Sequence, residues 1–139
     1  MEFRIYGDPA PQGSKRVFNG RVVEAAGQKL KLWRKAIAQA VEDALPADHQ
    51  LIVGPVAVEV IFYLPRPQSV TPKKRPHPIV PPDADKLLRG LLDGLGQGIN
   101  GKSGDGRLWA DDALVVTIVA SKMYADNHEP GAEVIVTPL

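Results

Sequence analysis

The chain has 139 residues, 44% of them hydrophobic and 24% charged, with a formal net charge of +1. That length fits one domain with a real core, and its make-up is that of an ordinary globular protein. The lack of cysteine excludes disulfides, a thiolate nucleophile and zinc–cysteine sites, and no apolar run approaches the roughly 18 residues that cross a bilayer.

"EFRIYG" (2–7) alternates and is β-rich, which predicts a first strand. Its charges also break any signal-peptide layout, so the expected location is the cytoplasm. "PAPQGSKRVFNGRVVEA" (9–25) is loop-like, with "NG" at 19–20 marking a tight hairpin. From Gln28 to Leu45 the apolar positions Leu30, Trp33, Ile37, Val41 and Leu45 recur at helical spacing, and the N-terminal half of that helix is basic. "PVAVEVIFYL" (55–64) is a strand. The proline-rich stretch to Pro82 fits neither sheet nor helix, because proline lacks a donor and fixes φ. It reads as a mobile loop rather than a domain linker. "ADKLLRGLLDGL" (84–95) is a second helix, and the glycine-rich 96–106 is a flexible loop. "LVVTIVASKMY" (114–124) and "AEVIVTPL" (132–139) complete the strands. The expected fold is one compact α+β (mixed α/β) domain over 1–139, with a small mixed sheet and two main helices.

Charge is unevenly spread. Residues 1–40 hold eight Lys/Arg against three Asp/Glu, and 65–78 hold four basic residues and no acid. Residues 83–112 hold six Asp against four Lys/Arg. Basic segments flanking an acidic centre suit a polyanion held around bound cations. A solvated basic loop is the plain alternative.

In the second helix Leu87, Leu88, Leu91, Leu92 and Leu95 form one apolar stripe that must face the core. Asp85, Arg89 and Asp93 follow at i, i+4 and i+8 as a polar row. Asp83 cannot join that row if helical, because two residues turn about 200° around the axis. If 83–85 are still extended, both aspartates point to one side. Pro81 and Pro82 favour this, since a residue before proline avoids the α region. Each acid also has a local explanation: Asp83 as an N-cap, Asp93 bridged to Arg89, Asp111–Asp112 as a turn.

Hard cations take oxygen ligands, and carboxylates from a helix entrance and a strand start would supply them. Three histidines in loop-like settings do not suggest a zinc site. "GKSGDGRLWADD" (101–112) departs from the calcium-loop pattern at its first and last positions. There is no P-loop and no nucleophile elbow. Metal-assisted phosphoryl transfer is the enzyme chemistry this composition best supports.

"DADKLLRGLLDGL" followed by "WADDALVV" resembles the signature of RusA-type Holliday junction resolvases, small metal-dependent endonucleases of phages and prophages. The opening "YGDPAPQGSKR" and the helix "LKLWRKAIAQAV" are also similar to members of that family. The resemblance implies that Asp83, Asp85 and Asp112 are metal-binding catalytic carboxylates, with Mg²⁺ as cofactor and Mn²⁺ as a substitute. Arg89 would stabilise phosphate charge, and Asp93 and Asp111 would be secondary acids. Lys86 stands where the family usually has Asn, Arg89 where it has Lys, and the 96–106 loop is longer than usual. Arginine keeps the charge but cannot donate its proton.

The expected function is paired cleavage of branched DNA, the four-way junction, by a homodimer in recombination and repair. Lys15, Arg16, Lys73, Lys74 and Arg75 would meet the DNA backbone. The rival readings are a DNA-binding module whose acids merely cap and bridge, and a metal-dependent hydrolase of nucleotides or single strands.

Overall fold

The computed structural model describes residues 1–12, 15–18, 21–24, 27–97 and 106–139, with 15–18 and 21–24 described as backbone only. The elements are β1 (Glu2–Tyr6), β2 (Lys15–Phe18), β3 (Arg21–Glu24), α1 (Gln28–Ala44), β4 (Val56–Leu64), α2 (Ala84–Leu95), β5 (Val115–Tyr124) and β6 (Gly131–Pro138). A short 3-10 turn, Asp112–Leu114, leads into β5. The α+β class, the mixed sheet and the two helices are as expected, with boundaries moved by a residue or two.

Four strands form one sheet in the order β1-β6-β4-β5. β6 pairs antiparallel with β1 and β4, whereas β4 and β5 are parallel. β2 and β3 pair as a separate hairpin, Phe18 opposite Arg21, around the predicted turn at 19–20, which lies outside the described residues. Alternation in β4 sends Val56, Val58, Val60, Phe62 and Leu64 into the core. Ala132, Val134 and Val136 of β6 join them. The leucine stripe of α2 and Leu30, Trp33, Ile37 and Val41 of α1 cover this face. No helix among the described residues is long and apolar enough to cross a membrane.

The parallel β4–α2–β5 unit positions the site. A helix joining two parallel strands runs back antiparallel to them. The entrance of α2 therefore lies near the C-terminal ends of β4 and β5, and its far end lies near the start of β5. Two contacts confirm this: Lys122, late in β5, bonds to Pro82, and Leu108 bonds back to Leu95.

The proline-rich segment is fastened down, against the expectation of a mobile loop. Arg66 grips Asp126 through two N–H bonds of 2.7 and 2.8 Å, and its guanidinium lies 4.0 Å over the Tyr124 ring. Its remaining arm donates to the Arg75 carbonyl at 2.6 Å, and Arg75 Nε donates to the Tyr124 hydroxyl at 2.8 Å. Proline offers no N–H for a ladder, so side chains supply the donors.

Candidate active site

Asp83 and Asp85 sit together where α2 begins. Asp83 is the N-cap residue with φ −70° and ψ 142°, an extended conformation, and its side chain makes no capping bond. Its carbonyl accepts from Leu87 N at 3.0 Å, so the backbone opens the helix while the carboxylate stays exposed. Asp85 is exposed in the first turn, where the positive end of the helix dipole favours a carboxylate. The ammonium of Lys86 approaches Asp83 at 3.7 Å, a loose contact between exposed groups. Arg89 is exposed one turn beyond Asp85, and Asp93 is half-buried one turn further.

Asp112 is elsewhere. It opens the 3-10 turn before β5, at the far end of α2. The helix has 12 residues, roughly 18 Å at about 1.5 Å per residue. Among the described residues no three Asp, Glu or His side chains are close enough to hold one metal ion. The expected convergence of helix entrance and strand start does not occur within one chain.

What the chain does achieve is a firm aim for Asp112. The buried indole of Trp109 donates to Asp112 Oδ1 at 2.9 Å. Burial raises the Asp112 carboxyl above its ordinary value; the Trp109 N–H opposes this, and the Asp111 charge adds to it. Asp111 caps the turn by accepting from Ala113 N at 2.8 Å.

The ends of the glycine-rich loop are closed by backbone bonds. Leu108 N donates to the Leu95 carbonyl, Gly106 N to Gly96 and Gln97 N to Trp109, all within 3.0 Å. Glycine is required where the two ends meet. A Cβ on Gly96 would lie 2.0 Å from Trp109 Nε1, and one on Gly106 only 1.9 Å from the Leu95 carbonyl carbon. Residues 98–105 of this loop lie outside the described residues.

The segment before the first basic pair is tethered near the entrance of α2. Gln12 N donates to the Lys86 carbonyl at 3.0 Å, so Gln12, three positions before Lys15, is docked on the helix that carries Asp85. Lys15 and Arg16 lie in β2, whose side chains are outside the description. Lys73 and Lys74 are exposed on a turn closed by Lys74 N bonding to both Thr71 oxygens, 3.1 Å to the carbonyl and 3.2 Å to Oγ1. Arg75 is half-buried against Tyr124 and serves the fastening first.

The family model for endodeoxyribonuclease RusA matches residues 7–137. The chain belongs to the RusA endodeoxyribonuclease family. It is also 30% identical to the uncharacterised protein YqaN of Bacillus subtilis (strain 168), over 98% of this chain and 94% of that one. Membership makes it a nuclease of the Holliday-junction-resolving kind, acting on branched DNA.

Trp109, Lys122 and the Arg66–Asp126 pair were not among the expected site residues. Trp109 had a signal, standing three residues before Asp112. Lys122 had another: it is the sole charged residue of "LVVTIVASKMY".

Proposed function

We propose that this chain is a divalent-metal-dependent endonuclease that resolves four-way DNA junctions as a two-fold homodimer. The observation that carries the reading is the placement of the carboxylates. Asp83 and Asp85 stand exposed at one end of α2, with Asp83 free of capping duty, while Trp109 aims Asp112 at the other end.

Carboxylate oxygens are the donor set a hard cation such as Mg²⁺ takes, with Mn²⁺ as a substitute. Asp83 and Asp85 fit the ion on that ground, and Asp112 of a second copy would complete the set that one chain leaves split. The bound ion supplies a lowered pKa for attacking water and charge for the scissile phosphate. Arg89, one turn along the polar face, would contact the phosphate as a fixed cation; it cannot act as a proton donor. Lys15, Arg16, Lys73 and Lys74 would hold the DNA arms through their phosphates, with Arg75 as a lesser contributor.

Two-fold symmetry suits the substrate. A junction is resolved by two cuts related by a dyad, and a two-fold dimer presents the same patch from both subunits. The test is cleavage of an end-labelled four-way junction beside linear duplex of the same sequence, with Mg²⁺ and with chelator. Paired symmetric cuts in the junction with Mg²⁺ alone are expected. Equal cutting of the linear duplex, or cutting in chelator, would contradict the proposal.

A further inference from the structure

We propose that Lys122 is the positioning residue of the Asp83–Asp85 pair, holding the entrance of α2 to the sheet through two backbone carbonyls. Its ammonium donates to the Val80 carbonyl at 3.0 Å and to the Pro82 carbonyl at 2.8 Å. The inference deepens the metal-nuclease reading and rests on it for its functional part.

The local sequence explains why such a clamp is needed. Pro81 and Pro82 bring no N–H, so two successive positions of this corner cannot donate to a ladder. A lysine ammonium has three donors and no acceptor, so one side chain serves both carbonyls at once. Lys122 is also well rooted. It lies in β5 opposite Phe62 of the central strand β4, whose side chain is fully buried.

The chain of contacts is short. The Pro82 carbonyl belongs to the peptide that Asp83 continues, so fixing it fixes the orientation in which the N-cap backbone leaves the corner. The Asp83 carbonyl then accepts from Leu87 N at 3.0 Å and starts the helix. Among the described residues Lys122 makes no ion pair with Asp83 or Asp85, whose carboxylates stay exposed. Its charge is directed at the backbone, which leaves the carboxylate oxygens to a metal. Partners of this kind, outside the ligands themselves, commonly govern affinity.

The experiment compares the full-length wild type with Lys122→Met, which keeps the stem and removes the donors, and with Lys122→Arg, which keeps donors. The first readout needs no metal: hydrogen exchange at the Leu87 amide, with the Leu95 amide as internal control. The second is Mn²⁺ affinity by electron paramagnetic resonance, and the third is junction affinity in chelator. In Lys122→Met, Leu87 exchange should rise relative to Leu95 and Mn²⁺ affinity should fall by about 10-fold or more, with junction affinity unchanged. Lys122→Arg should restore most of both. Lys122→Gln, which keeps one donor group, should fall between and carries the test if Lys122→Met does not fold. Unchanged Leu87 exchange and Mn²⁺ affinity in Lys122→Met would overturn the proposal. A wild type that binds no Mn²⁺ would count against the metal reading, while Leu87 exchange would still decide whether Lys122 holds the entrance.

Discussion

The buried Trp109 indole donates to the Asp112 carboxylate at 2.9 Å and lies against Gly96, the residue that ends α2. A carboxylate three residues along the chain is thus aimed by a side chain seated in the core. Trp109→Phe keeps an aromatic filler and removes the donor. It should cost about 1.5–3 kcal/mol of stability, the range for a hydrogen bond to a charged group, and lower Mg²⁺-dependent cutting about 10-fold or more. Gly96→Ala should do worse, because its Cβ meets the indole at 2.0 Å. Denaturant melts and cleavage rates check both; unchanged rates in Trp109→Phe would remove Trp109 from the site.

Neutralising the carboxylates should separate cutting from binding. Asp83→Asn, Asp85→Asn and Asp112→Asn keep size and shape, so the fold and the junction complex should persist. Each should lose at least about 100-fold in cleavage, as expected for groups that hold charge against the reacting phosphate. Near-normal cleavage by any two of them would remove the carboxylates from the chemistry.

The basic turn should act through salt-dependent contacts. Each phosphate contact releases counterions, so replacing Lys73 and Lys74 by Gln should weaken junction binding and lower the log–log salt slope by about 2. Arg75 is engaged by Tyr124, so Arg75→Gln should change the slope less and thermal stability more. Titrations from low to high salt give the slopes, and an unchanged slope in the double variant would make the turn a bystander.

The Arg66–Asp126 clasp predicts an acid-sensitive fastening of the same loop. The Arg66 hydrogen bonds hold the Asp126 carboxyl below its ordinary value. A carboxylate with a depressed folded-state pKa adds stability above the unfolded value near 3.9, and that stability is lost as pH falls through the folded pKa. Wild type should therefore melt higher than Asp126→Asn at neutral pH, with the gap closing in the acid range. A gap of constant size at every pH would contradict the clasp.

Much of the fold was legible because its signals are local. The leucine stripe of α2, the alternation in β4 and the "NG" hairpin each follow from period or turn chemistry within a few residues. The extended Asp83 was legible as well, since Asp is a favoured N-cap residue and the N-cap backbone is not yet helical. The relation between Asp83 and Asp112 was not. Both belong to recognisable motifs, but the length and direction of the helix between them set their separation, which requires knowing that β4 and β5 are parallel. The anchoring of the proline-rich loop was hidden too. Arg66 and Asp126 are 60 positions apart, and their meeting depends on β4 and β5 ending side by side.

The split carboxylates give the most direct test, by mixing two inactive proteins. Chains carrying Asp83→Asn with Asp85→Asn are refolded together with chains carrying Asp112→Asn, and the mixture is assayed on a labelled junction with Mg²⁺. If each site takes Asp83 and Asp85 from one copy and Asp112 from the other, a mixed dimer has one intact site. Half of the dimers are then mixed, so about a quarter of all sites should recover, seen mainly as nicks rather than paired cuts. If the three carboxylates acted within one chain, every site would remain defective. A mixture of verified mixed dimers that cuts no better than either parent would contradict the shared site.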